Sequence, residues 1–123
     1  FSAQDKIDFI IRAKATGFFI RLFFIGTSSP AINASRIARR VMEGGHDVAI
    51  PKIISRYQKS IINCCLISKL VDRLYVYDNS VDNFPAKLQY RLSNGVLVKQ
   101  YVDNIAEWAT RIISSHPETT VQD

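Results

Sequence analysis

Two short runs of basic residues have a spacing that permits chemistry. Arg36, Arg39, Arg40 and Glu43 recur at i, i+3, i+4 and i+7, the interval that places side chains on one helical face. Lys52, Arg56 and Lys59 repeat the device at i, i+4 and i+7. Between the stripes lies the turn Gly44-Gly45-His46-Asp47-Val48. Folded back on one another, the two helices would enclose an electropositive cleft. Guanidinium forks match phosphate oxygens, and neutralising a transferred phosphate requires such groups. The same spacing fits two solvated faces with an occasional ion pair to Glu43 or Asp47. Spacing alone leaves both readings open.

The elements that must position these residues follow from periodicity. Residues 5–16 (DKIDFIIRAKAT) place Ile7, Phe9, Ile10, Ile11 and Ala13 largely on one side, which predicts an amphipathic helix stopped by Gly17. FFIRLFFI, 18–25, is apolar on both faces and predicts a strand covered on both sides. The turn Gly26-Thr27-Ser28-Ser29-Pro30 leads into a helix from about Ala31 to Glu43, closed by Gly44-Gly45. Pro51 suits the first turn of a long helix over 51–70, with Ile50, Ile53, Ile54, Tyr57, Ile61, Cys64 and Leu66 on its apolar side.

RLYVY (73–77) predicts a second strand, ending in Asp78-Asn79-Ser80. Residues 87–101 predict a hairpin about the type I′ pair Asn94-Gly95. Leu92 then faces Leu97 and Leu88 faces Tyr101, while Gln89, Arg91 and Gln100 form a wet face. Ile105, Trp108, Ala109 and Ile112 mark a last helix over 103–114, and HPETTVQD is expected to fray. The alternation of types predicts a three-layer α/β arrangement, in which two core strands make a thin sheet. A complete domain is expected to have further strands before Phe1.

Composition narrows the class. The 123 residues suit one domain, or the C-terminal portion of one, and 47% hydrophobic content is enough for a packed core. The longest apolar stretch, Phe18 to Ile25, is strand-sized and interrupted by Arg21, and no secretory signal precedes it. The expected setting is intracellular, with no membrane partner. Cys64 and Cys65 are adjacent, which suits two free thiols and neither a disulfide nor a zinc site. The net charge of +5 points to anionic partners.

The residues between the stripes carry a resemblance. Arg39-Arg40-Val41, Gly44-Gly45-His46-Asp47-Val48, Ile53, and Arg56-Tyr57 with Lys59-Ser60 resemble the lid segment of zeta-toxin-like P-loop kinases, here about 31–62. RLFFIGT (21–27) is similar to that family's strand before the lid. Asp72-Arg73, followed by Tyr77-Asp78-Asn79-Ser80, is similar to its next strand and turn. The resemblance covers roughly residues 5–80 and implies a three-layer P-loop-kinase-like parallel sheet, incomplete here, followed by the hairpin and last helix.

It implies ATP- or GTP-dependent phosphorylation of a small-molecule hydroxyl, with Mg2+, in a bacterial cytoplasm. UDP-N-acetylglucosamine is the substrate of the toxin members. By position Arg40 and Arg56 are the implied catalytic arginines, with Arg39 an alternative to Arg40. Lys59, Asp78, Asn79 and Ser80 are the further phosphate-binding candidates, and Gly44, Gly45 and His46 form the lid turn. The resemblance also raises an antitoxin protein or an N-terminal half as partner.

No G-x-x-x-x-G-K-[ST] occurs in the sequence, so nothing in it cradles β- and γ-phosphates. This chain by itself is expected to contribute a lid but not a complete active site, and no phosphoryl transfer is expected from it alone. A nucleic-acid-binding module and a non-catalytic interaction domain are the competing classes. The first lacks any helix-turn-helix, RRM or zinc signature, and is disfavoured on that ground.

Overall fold

The computed structural model describes residues 3–114, and the segment HPETTVQD lies outside them. The order is α1 (Ala3–Ala15), β1 (Arg21–Gly26), α2 (Pro30–Met42), α3 (Ile50–Ile67), β2 (Arg73–Asp78), β3 (Lys87–Ser93), β4 (Val96–Gln100) and α4 (Glu107–Ser114). This is the succession that periodicity predicts. The sheet runs β1-β2-β3-β4; β1 and β2 are parallel and the other pairs antiparallel. The chain is therefore α/β with a mixed sheet, in which the hairpin extends the two parallel strands.

Register sorts the strand residues into two faces, because cross-strand partners point the same way. One face carries the row Leu22, Leu74, Leu92 and Leu97, and beside it Phe24, Val76 and Tyr90. Against these pack Ile10 of α1, Ile61, Cys64 and Ile67 of α3, and Trp108, Ala109 and Ile112 of α4. The opposite face carries Arg21, Arg73, Ser93 and Val96 in one row, then Phe23, Tyr75, Arg91 and Lys99. A third row adds Ile25, Tyr77 and Leu88.

Phe23 and Ile25 are more than half exposed. The expectation of a strand covered on both sides is thus not met. β1 alternates exposed and half-buried positions, and the described core lies on one side of the sheet. Apolar side chains on both faces of a strand mimic two-sided burial in sequence, whichever face is covered.

Two bulges alter the predicted hairpin. Asn94 (φ 50°) and Gly95 (φ 82°) form the expected tight turn, and Leu92 pairs with Leu97. The register within the hairpin shifts between Arg91 and Leu92, leaving Val98 unopposed, and that between β2 and β3 shifts between Val76 and Tyr77, leaving Gln89 unopposed between Tyr90 and Leu88. A bulge reverses the phase of the strand, so Leu88 joins the open face and Gln89 turns inward. Gln89 is buried rather than wet: its amide donates to the Lys87 carbonyl at 3.1 Å and accepts from the Ala106 N–H at 2.9 Å. Arg91 and Lys99 share the open face, whereas Gln100 pairs with Tyr90 at the margin of the other.

The long helix also departs in detail. Ile53, Ile61, Cys64 and Ile67 are buried, while Ile50, Ile54 and Leu66 are largely exposed. Helix α2 buries none of its residues and rests on α3.

Cys64 is a core residue, and burial pushes its thiol up to about 12. Thiolate is the reactive form, so Cys64 is expected to resist iodoacetamide in the native state and to react once the chain is denatured. Peptide mass spectrometry of the two samples checks this; modification of Cys64 in the native protein would contradict the packing described.

Candidate functional site

The parallel strands end side by side at Gly26 and Asp78, and the segments leaving them are tied together. The Asn79 N–H donates to the Gly26 carbonyl at 2.8 Å. The Ser28 N–H donates to Ser80 Oγ at 2.9 Å, and that hydroxyl donates to Asp78 Oδ1 at 2.6 Å. Asp78 Oδ1 also accepts from Trp108 Nε1 at 2.7 Å. One carboxylate oxygen thus links the β1 turn, the β2 turn and α4. Trp108 stands directly over Gly26, where an added Cβ would meet the ring at 2.5 Å. Glycine is needed there for close approach, not for backbone freedom.

Above this edge, α2 and α3 form the walls of a cavity of about 350 Å³. Its cationic lining comes from Arg36 and Arg40 of α2 and Arg56 of α3. Thr27, Asn33, Tyr57 and Asn79 add polar groups. Tyr57 Oη donates to the Thr27 carbonyl at 2.8 Å, fixing α3 to the β1 turn, and burial raises its pKa, so it stays a neutral donor. Thr27 Oγ1 donates to Asn33 Oδ1 at 2.8 Å, which sets the first turns of α2.

The arginines differ in what holds them. Asp82, in the β2–β3 connection, accepts from Arg36 Nε at 3.1 Å and from Arg39 Nη2 at 3.2 Å. Arg36 and Arg39 beside it hold its carboxyl below the usual carboxylate range. Arg40 and Arg56 form no ion pair among the described residues. They are the two cationic groups of the cavity with no acidic partner among the described residues.

The candidate residues therefore separate. Arg40, Arg56 and Asn79 come together in the cavity. Arg39 faces a neighbouring hollow with Asp82, and Lys59 is exposed and does not line the cavity. Asp78 and Ser80 are occupied in the network that joins the two turns. Gly44 (φ 95°) and Gly45 end α2; the Gly45 N–H donates to the Arg40 carbonyl at 2.7 Å, and a Cβ on Gly45 would press on that oxygen at 2.9 Å. His46 is exposed in the connection that follows.

Arg36 lines the cavity as the basic stripe predicts, although the resemblance did not put it among the phosphate-binding candidates. Sequence reasoning had no means of finding Asp82 or Trp108, whose partners lie 30 to 46 positions away. Comparison with protein-family models, with curated proteins and with solved structures gave no match to this chain.

Proposed function

We propose that the cavity binds the phosphates of a nucleotide, and that the chain is the lid-bearing, C-terminal part of an ATP- or GTP-dependent small-molecule kinase of the zeta-toxin-like P-loop type. The observation that carries this reading is the convergence of Arg40 and Arg56, from two helices, beside Arg36 at the carboxyl edge of two parallel strands. Ligands of α/β sheets collect outside the carboxyl ends of strands. Unpaired guanidinium groups on facing walls suit a polyphosphate.

The residue set fits phosphate oxygens: the lining supplies cations, amides and hydroxyls and contains no carboxylate. It offers no ligand set for Mg2+, and the only role assigned to the described residues is holding phosphate. A sugar-nucleotide acceptor such as UDP-N-acetylglucosamine belongs to the proposal for the complete enzyme, as do an antitoxin partner and the bacterial cytoplasm. Two further observations favour a lid. Helix α2 buries none of its residues, and a Gly-Gly turn ends it.

The test is calorimetric titration of the purified chain with ATP, GTP, tripolyphosphate and adenosine. ATP or GTP and tripolyphosphate are expected to bind, adenosine is not, and no turnover is expected from this chain alone. Adenosine binding as tightly as ATP, or no binding by any phosphate, would refute the reading.

A further inference from the structure

The sheet's open face has a composition that the cleft does not explain. Arg21, Arg73, Arg91 and Lys99 lie on it, and its three rows contain no carboxylate. Between the cations lie three aromatic rings, two of them stacked and the third, Tyr77, tilted by 37° to Phe23. Phe23 stacks on Tyr75 with centroids 4.9 Å apart and planes 12° apart, and Tyr77 follows at 6.4 Å. The guanidinium carbons of Arg21 and Arg73 sit 5.0 and 5.5 Å from the centre of the Phe19 ring. Arg73, then Arg91, beside the Tyr75 hydroxyl lowers its pKa. Arg91 Nε is buried with no hydrogen-bond partner among the described residues. Phe19 and Phe23 remain more than half exposed.

Charge decides what such a face accepts. An apolar protein layer placed over it would desolvate four cations with no carboxylate to pair them, which is costly. A second copy packed face to face would set four cations against four more, and like charges repel. A polyanion neutralises them, and exposed rings beside arginines accept the flat faces of bases. A duplex keeps those faces stacked inside, whereas a single strand can splay them out.

We propose that this open face binds single-stranded nucleic acid, with bases stacked on Phe23 and Tyr75 and phosphates held by Arg21, Arg73 and Lys99. The site uses none of the cleft's arginines, although face and cleft meet at Ile25, which lines both. The sequence hid it because Phe23, Tyr75 and the four cations come from four separate strands and become neighbours only through register.

The experiment is fluorescence anisotropy with labelled oligo-uridylate and oligo-thymidylate of about ten nucleotides, and a duplex of equal length. Single strands are expected to bind, with log K against log salt falling at a slope of about −2 to −3 for three or four neutralised phosphates. The double variant Phe23→Ala/Tyr75→Ala is expected to weaken binding by roughly tenfold or more. Lys99→Glu, at an exposed position whose ammonium lies 5.1 Å from the centre of the Tyr101 ring, is expected to weaken binding and flatten the salt slope.

Arg40→Ala/Arg56→Ala is expected to stay within about threefold for the oligonucleotide while losing tripolyphosphate, which separates this proposal from the cleft. The proposal is overturned if no single strand binds, if the duplex binds equally well, or if only the cleft variants lose the oligonucleotide. It is equally overturned if sedimentation shows a self-association that the face variants abolish, since the face would then be a protein interface.

Discussion

Replacing Trp108 with alanine is expected to destabilise the fold by about 3–5 kcal/mol, the range for removing a large buried aromatic side chain. The ring is nearly fully buried, packs against Phe24 with centroids 5.9 Å apart, and covers Gly26. Its indole N–H holds the carboxylate that ties both strand-end turns together. Domains of this size have stabilities of about 5–15 kcal/mol, so the loss would be a large share of the total. Urea denaturation followed by circular dichroism measures it, and a loss below about 1 kcal/mol would contradict the packing.

A double-mutant cycle with Gly26 locates the cause. Gly26→Ala alone forces a methyl group into the ring and is expected to cost about 1–3 kcal/mol. In the Trp108→Ala background the same methyl has room, so most of that penalty should vanish. Additivity of the two changes would mean that they do not share the contact. Trp108→Phe keeps an aromatic ring but removes the indole donor, and is expected to fall between wild type and Trp108→Ala.

The second large effect concerns phosphate affinity. Hydrogen bonds to charged groups contribute about 1.5–3 kcal/mol. Arg40 and Arg56 are exposed enough for solvent screening to favour the low end. Each alanine substitution is then expected to weaken tripolyphosphate binding about tenfold, and the pair by up to about 100-fold. Arg39→Ala is expected to change it by less than about threefold, because Asp82 already engages that guanidinium away from the cavity. Lys59→Ala should behave likewise, since Lys59 does not line the cavity. Calorimetry on the five variants ranks them, and a loss at Arg39 or Lys59 equal to that at Arg40 would reject the assignment.

The ordering resolves what helix phase left open. Arg39 and Arg40 are neighbours in sequence, and periodicity puts both on the basic stripe without saying which one enters the cleft. The structure separates them through Asp82, a carboxylate of the β2–β3 connection whose position no local pattern encodes. Local signals performed well where the physics is local. Amphipathic spacing, Pro51 and the Gly44-Gly45 stop located the four described helices, the last of which begins at Glu107 rather than 103, and Asn94-Gly95 located the turn of the hairpin.

They failed where the outcome depends on what lies across the sheet. Phe23 and Ile25 look like core residues in a strand rich in phenylalanine, yet they lie on the uncovered side. Gln89 looks like a surface residue, yet a bulge turns it inward to meet the Ala106 N–H. Of the cleft, the basic stripes were legible. The network through Asp78 that fixes its floor was not.

Helix α2 has a thermodynamic consequence of its own. It carries two of the three cavity arginines, buries none of its residues, and leans on α3. Segments with few buried apolar contacts open locally at a fraction of the global unfolding free energy. On that principle α2 is expected to open before β2 and β3 do. A ligand that bridges Arg40 and Arg56 selects the molecules in which α2 is closed, and its apparent affinity is reduced by whatever fraction of molecules is open. Mutations that stiffen α2 without touching any phosphate contact would therefore tighten binding.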